Sequence, residues 1–225
     1  AGRVPVIAGA GSNSTAEAVR LAEHAATAGA DAVLIVSPYY NKPTQAGLYA
    51  HFAAVAAAVD VPVIVYDIPG RSVVRVIDDT LARLASDFAN ISGIKDATAD
   101  LVRPTALQNL LGNDFTQLSG EDATALPYLA AGGHGCISVT ANIAPRLLSE
   151  MHAAWWAGDI KTAQTIHQKL LPLHDAMFCE ASPGPVKYAA SLLGICAAKT
   201  RLPLCEIADS SKAQVKAGRV SAGLL

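Results

Sequence analysis

Apolar residues gather in six short, nearly unbroken runs: Val4-Pro5-Val6-Ile7-Ala8, Ala32-Val33-Leu34-Ile35-Val36, Val61-Pro62-Val63-Ile64-Val65-Tyr66, Ile91-Ser92-Gly93-Ile94, Phe115-Thr116-Gln117-Leu118 and Gly135-Cys136-Ile137-Ser138-Val139. The runs are continuous and rich in β-branched residues rather than alternating, a pattern that suits strands covered on both faces of a parallel sheet. About 20 to 30 residues separate successive runs, enough for one crossover helix each. Helix punctuation falls between them. Ser14-Thr15-Ala16-Glu17 has capping-box spacing, Asp78-Asp79 can cap the run Leu81, Leu84, Ala85, Phe88, and Gly112 stops a helix ending in Leu110-Leu111. The chain therefore reads as α/β, with six βα units. After Gly158 the strand signals cease, and Ile160, Ala163, Ile166, His167, Leu170 and Leu171 trace one helical face. The expected division is a barrel part over 1–158 and a helical region over 159–225.

A βα repeat fits either an open doubly wound sheet or a closed barrel. The open sheet of a dinucleotide binder calls for a GxGxxG turn after its first strand, but Gly9-Ala10-Gly11-Ser12-Asn13-Ser14 lacks the third glycine. A barrel calls for polar, reactive residues at the C-terminal ends of several strands. Those are present: Ser37-Pro38-Tyr39-Tyr40 after the second run, Tyr66-Asp67-Ile68-Pro69-Gly70-Arg71 after the third, and Lys95-Asp96-Ala97-Thr98 after the fourth. Ser119-Gly120-Glu121-Asp122 and Ser138-Val139-Thr140 end the fifth and sixth.

Composition acts by exclusion. With 52% hydrophobic residues among 225 and a formal net charge of -2, the chain can bury a sizeable core and carries no basic surface for nucleic acid or membrane. No apolar segment approaches the roughly 20 residues of a membrane span, and a cytoplasmic location is expected. Cys136, Cys179, Cys196 and Cys205 are scattered without a CxxC pair, so reduced cysteines packed as small hydrophobes are expected, with no metal site and no cofactor.

A lysine at the mouth of a buried strand is expensive to desolvate, and that expense favours the neutral, nucleophilic amine. Lys95 is thus a candidate for Schiff-base chemistry, Tyr66 for proton transfer, and Arg71 for holding a carboxylate through two parallel hydrogen bonds. Taken singly, each has a plainer role. Lys95 also suits a strand-end lysine whose stem runs out to water, Tyr66 a core ring, Tyr39 and Tyr40 packing aromatics, and Arg71 a solvated turn residue.

Val65-Tyr66-Asp67-Ile68-Pro69-Gly70-Arg71, Gly93-Ile94-Lys95-Asp96-Ala97-Thr98, Ser119-Gly120-Glu121-Asp122 and Gly132-Gly133-His134-Gly135-Cys136-Ile137-Ser138-Val139 resemble the motifs of the 4-hydroxy-tetrahydrodipicolinate synthase (dihydrodipicolinate synthase) family. The resemblance implies a (β/α)8 TIM barrel of the class I aldolase type, a lyase of lysine (diaminopimelate) biosynthesis that condenses pyruvate with aspartate semialdehyde. By the same resemblance, Lys95 forms the Schiff base with pyruvate, Tyr66 is its proton donor and acceptor, and Arg71 binds the carboxylate of the semialdehyde. Gly120 and Ile137 line the pyruvate site, and Tyr40 reaches across a dimer interface within a homotetramer built as a dimer of dimers. Asn13, Glu17 and Tyr39 match part of a lysine feedback site, although Glu17 also fits the capping box. N-acetylneuraminate lyase and other pyruvate-dependent aldolases share the lysine and tyrosine. Arg71 separates the synthases from them.

The family barrel has eight strands and six are read here. The resemblance aligns Ala1-Gly2-Arg3-Val4 with the approach to the third strand. It implies that two βα units, about 60 to 70 residues at barrel repeat lengths, are not among these residues, nor is the Gly-Thr-Thr-Gly-Glu segment that links the two tyrosines. Alone, a six-stranded remnant exposes unpaired parallel edges, for which poor folding, inactivity or survival as a mere 2-keto acid binder is expected.

Overall fold

A computed structural model describes residues 2–224. Its strands are β1 (Ile7–Gly9), β2 (Ala32–Val36), β3 (Val63–Asp67), β4 (Ile91–Asp96), β5 (Thr116–Ser119) and β6 (Gly135–Cys136). They form one sheet in the order β1-β2-β3-β4-β5-β6, and every pairing is parallel. The helices are α1 (Thr15–Thr27), α2 (Gln45–Ala56), α3 (Pro69–Ser72), α4 (Asp78–Asp87), α5 (Arg103–Leu111), α6 (Ala125–Ala130), α7 (Pro145–Trp156), α8 (Ile160–Met177), α9 (Gly184–Ser191) and α10 (Asp209–Ala222). Six βα units in sequential order are what the spacing of the apolar runs predicts.

Two compact units divide the chain. The first runs through Glu121 and takes in Pro127–Cys136; the second comprises Asp122–Leu126 and the residues from Ile137 onward. In the first, Val33, Ile35, Val63, Val65 and Ile94 from the strands meet Leu48, Phe52, Leu81, Leu84 and Leu107 from the helices, all fully buried. Each such side chain contributes about 1.5–3 kcal/mol by leaving water. In the second, α8 buries Ala163, Leu170, Leu173, His174, Ala176 and Met177. The helical face expected from Ile160 to Leu171 is therefore shifted, for Ile160 and Leu171 are both exposed. Gly218 lets α10 lie close on α8, because a Cβ there would sit 3.0 Å from both the Ala176 Cβ and the Pro172 carbonyl oxygen.

Several boundaries differ from expectation for local reasons. β1 begins at Ile7 rather than Val4, since Pro5 lacks an N–H and restrains Val4, and Val4 and Val6 stand exposed. β6 stops at Cys136 rather than Val139, because the amides of Val139 and Thr140 turn to the Asp122 carboxylate. The capping box does not form: Ser14 is the N-cap of α1 but makes no side-chain cap bond, and Glu17 accepts instead from Ser12 Oγ at 2.6 Å. Asp78 and Asp79 lie in the first turn of α4, with Ile77 as the N-cap, so they meet the helix dipole rather than cap it. Gly112 does end α5. The cysteines form no disulfide among the described residues, and Cys196 and Cys205 are exposed, on the segment following α9, rather than packed. No helix among the described residues is long and apolar enough to cross a membrane.

Gly93 shows why a glycine interrupts β4. It is paired with Ile64 and Thr116, and a Cβ there would fall 2.6 Å from the Thr116 carbonyl oxygen, inside contact distance of backbone that cannot swing away. Gly93→Ala is expected to destabilise the protein by about 1–3 kcal/mol through this overpacking. Denaturant titration checks it, and an unchanged midpoint would contradict it.

Candidate active site

Tyr66 and Lys95 are register partners on β3 and β4, one residue before each strand ends. Neighbouring strands run about 4.8 Å apart, and residues at equal register project from the same face, so the two side chains stand abreast. The Lys95 Nζ lies 3.9 Å from the centre of the Tyr66 ring, within cation–π range. The ladder carries on past both residues. Ala97 N donates to the Asp67 carbonyl at 2.9 Å, and Gly120 N to the Asp96 carbonyl at 2.7 Å. From β2, Ser37 donates through its N and Oγ to the Tyr66 carbonyl, at 2.9 and 3.2 Å.

Tyr66 is half-buried. Burial pushes its phenol above the ordinary value, the positive charge of Arg71 pulls it back, and Glu121 pushes it up. The hydroxyl thus holds its proton at neutral pH, as a proton donor must. Arg71 rides on the single turn α3, where Ser72 Oγ donates to the carbonyls of Ile68 and Val74. Val73 ends that turn in the left-handed region at φ 67°, an unfavourable conformation for a β-branched residue. Gly120 sits beside the lysine stem: a Cβ there would come within 3.2 Å of Lys95 Cε and 2.7 Å of Ala97 Cβ.

The other expected residues are placed differently. Tyr40 is 87% exposed with φ 75°, its backbone in the left-handed region. Asn13 meets Tyr39, donating from Nδ2 to its carbonyl at 3.2 Å, while Asn41 Nδ2 donates back to the Asn13 carbonyl at 3.0 Å. Glu17 is engaged by Ser12 and lies 3.6 Å from Arg20. Ile137 belongs to the second unit, at the start of a segment pinned to the buried carboxylate of Asp122. Ser138 Oγ and the amides of Val139 and Thr140 all donate to that carboxylate, the latter two at 2.9 and 3.1 Å. Behind this segment the Thr140 Oγ1 and His174 Nδ1 are 2.8 Å apart. Among the described residues no group of three or more His, Cys, Asp or Glu is arranged to hold a metal ion.

Sequence reasoning passed over the groups beneath the rim. Asp67 and Asp96 follow Tyr66 and Lys95 directly, are themselves register partners, and are both buried. Arg103, the first residue of α5, places its guanidinium 2.7 Å from Asp67 and 3.5 Å from Asp96. Burial pushes the Asp67 carboxyl up and Arg103 draws it back. Burial works against the Arg103 charge in turn, but Asp96 and Asp67 outweigh it and hold the guanidinium above its ordinary value. The signal was present in the repeated Tyr-Asp and Lys-Asp pairs at two consecutive strand ends.

A lysine and a tyrosine abreast at the ends of adjacent strands, in a sequential parallel βα repeat, define the rim of a partial (β/α)8 barrel followed by a helical region. Residues 1–220 match the dihydrodipicolinate synthetase family, and the chain belongs to that family. It is 61% identical over 223 residues to the 4-hydroxy-tetrahydrodipicolinate synthase of Acidiphilium cryptum, covering 99% of this chain and 76% of that protein. Among solved structures, the chloride-inhibited dihydrodipicolinate synthase of Acinetobacter baumannii complexed with pyruvate superposes with a TM-score of 0.95 at 46% identity, over 100% of this chain and 77% of the other. A monomeric dihydrodipicolinate synthase variant superposes with a TM-score of 0.96 at 40% identity, over 100% and 76%.

His174 generates a pH prediction. Burial lowers its pKa below the ordinary value near 6.5, with Asp122 working against that shift, and burial does the same to His51, His152 and His167. In the unfolded chain these imidazoles take up protons near pH 6.5, whereas the folded chain resists. Their contribution to stability is therefore complete above about pH 6.5 and is lost as pH falls toward the folded values, by up to about 1.4 kcal/mol per pH unit and group. Thermal melts from pH 7.5 to 5.5 should show a falling midpoint, with a shallower fall in His174→Gln. A flat profile over that range would refute the prediction.

Proposed function

We propose that this chain carries out the condensation of pyruvate with aspartate semialdehyde to 4-hydroxy-tetrahydrodipicolinate, in lysine (diaminopimelate) biosynthesis in the cytoplasm. The pairing of Lys95 with Tyr66 at the rim, within a family of synthases up to 61% identical, carries this reading. The Lys95 amine attacks the ketone carbon of pyruvate, and the carbinolamine that forms loses water to give a protonated Schiff base. Loss of a methyl proton then yields an enamine, whose terminal carbon attacks the aldehyde carbon of the semialdehyde while the aldehyde oxygen takes a proton. The substrate's own amino group then adds to the imine carbon, closing the ring and expelling the Lys95 amine. A tyrosine that burial keeps protonated suits the proton delivered to the departing water, and it regains one from the methyl group.

Arg71 takes the carboxylate of the semialdehyde, which favours the synthase reading over a sialic-acid-type lyase. We assign Gly120, which packs against the lysine stem, to pyruvate binding, and Ile137 likewise. We assign the reaction to the barrel part, 1–158, which the helical region 159–225 follows in the chain. The exposed ring and left-handed backbone of Tyr40 fit a side chain that completes the site of a partner protomer, in a homotetramer assembled as a dimer of dimers. Asn13, Glu17 and Tyr39 form a lysine feedback site, supported by the bond between Asn13 and the Tyr39 carbonyl.

Borohydride in the presence of pyruvate should leave a reduced pyruvyl adduct on Lys95, located by peptide mass mapping and absent in Lys95→Ala. Arg71→Ala should raise KM for the semialdehyde by about 10-fold or more through loss of the bidentate contact, with adduct formation intact. An unmodified Lys95 would overturn the reading. Millimolar L-lysine should slow turnover and raise the melting temperature of the protein, and the feedback site is refuted if neither quantity moves.

A further inference from the structure

The deepest polar cluster in the first unit lies under the Tyr66 and Lys95 pair. Successive residues of a strand point to opposite faces, so the buried carboxylates of Asp67 and Asp96 sit back to back with the tyrosine and the lysine. A single cation serves both. Arg103, 1% exposed, spends its three nitrogens on four partners. Nη1 reaches Asp67 at 2.7 Å and Asp96 at 3.5 Å, Nε reaches Asp78 at 2.9 Å, and Nη2 donates to the Val76 carbonyl at 2.6 Å.

These contacts have two geometric effects. The guanidinium bridges the ends of β3 and β4, and so fixes the lateral spacing of the strands on which Tyr66 and Lys95 stand abreast. It also grips Val76 and Asp78, the far end of the segment that leaves β3 at Asp67 and carries Arg71. Asp67 closes that segment from the other side, accepting from Val76 N at 3.2 Å. Asp96 is held in turn by the Thr98 amide and hydroxyl, at 2.9 and 2.6 Å. One side chain thereby ties the ends of β3 and β4 to the segment that carries Arg71.

We propose that Arg103 is a positioning residue for the condensation, its planar fork setting both the approach of the Lys95 amine to Tyr66 and the placement of Arg71. The proposal rests on the Schiff-base reading above. A displacement of about 1 Å at a reacting pair can lower a rate on the order of 100-fold, and a lysine at this position supplies the charge without the fork.

Two variants in the intact protein separate the effects. Arg103→Lys should remain folded by circular dichroism yet form the borohydride-trapped pyruvyl adduct about 10- to 100-fold more slowly, with a raised KM for aspartate semialdehyde. Asp78→Asn weakens only the Nε arm, by removing the charge of a partly exposed carboxylate, and should raise that KM several-fold while adduct formation stays within about twofold. If Arg103→Lys does not fold, the split in Asp78→Asn decides alone: a selective rise in KM supports the proposal, and no change, or an equal loss in both quantities, overturns it. A folded Arg103→Lys with both quantities within about twofold of wild type overturns it as well. Failure of the wild-type protein itself to form the adduct instead overturns the Schiff-base reading, and this proposal with it; a wild-type adduct with indifferent variants overturns this proposal alone.

Discussion

Parallel register is the constraint on which the rest of the site depends. Because β3 and β4 pair Tyr66 with Lys95 and Asp67 with Asp96, a single hydrogen-bonded step sets an amine against an aromatic ring on one face and two carboxylates against each other on the opposite face. The second arrangement is not stable without help. Two buried carboxylates repel, and uncompensated burial of either charge is costly, so a cation is required between them. Arg103 meets that requirement, and its remaining nitrogens reach the segment that presents Arg71.

Glycines do the complementary work of removing bulk. Gly93 lets β4 lie close to β5, and Gly120 lets Ala97 and the lysine stem approach its backbone. The rim is thus tightly packed both below Lys95 and beside its Cε. Conformational strain concentrates nearby, at Val73 beyond the Arg71 turn and at Tyr40 after β2. Such strain persists only where the surrounding structure holds it, and it clusters where geometry matters more than stability.

Legibility in the sequence followed the strength of the local signal. Six β-branched runs at regular spacing gave the sheet order, since parallel strands covered on both faces leave no alternation to misread. The placement of Tyr66 and Lys95 at adjacent strand ends was legible because each follows directly on an apolar run. Boundaries were less so, for Pro5 and Asp122 redirect hydrogen bonds in ways a hydrophobic pattern does not carry. The cap at Ser14 failed because Ser12, two residues earlier, captured Glu17. Arg103 was invisible for a related reason: a charged residue at a helix start normally reads as solvated, and only the tertiary fold delivers two buried carboxylates to it.

The proposed role of Tyr40 across a dimer interface would link chemistry to concentration. An aromatic ring 87% exposed on a left-handed backbone is a geometry that a contact on a second molecule would reward. Where that contact completes a neighbour's site, association and turnover become one equilibrium governed by mass action. Dilution would then act on such a protein as an inhibitor, lowering specific activity before any loss of secondary structure.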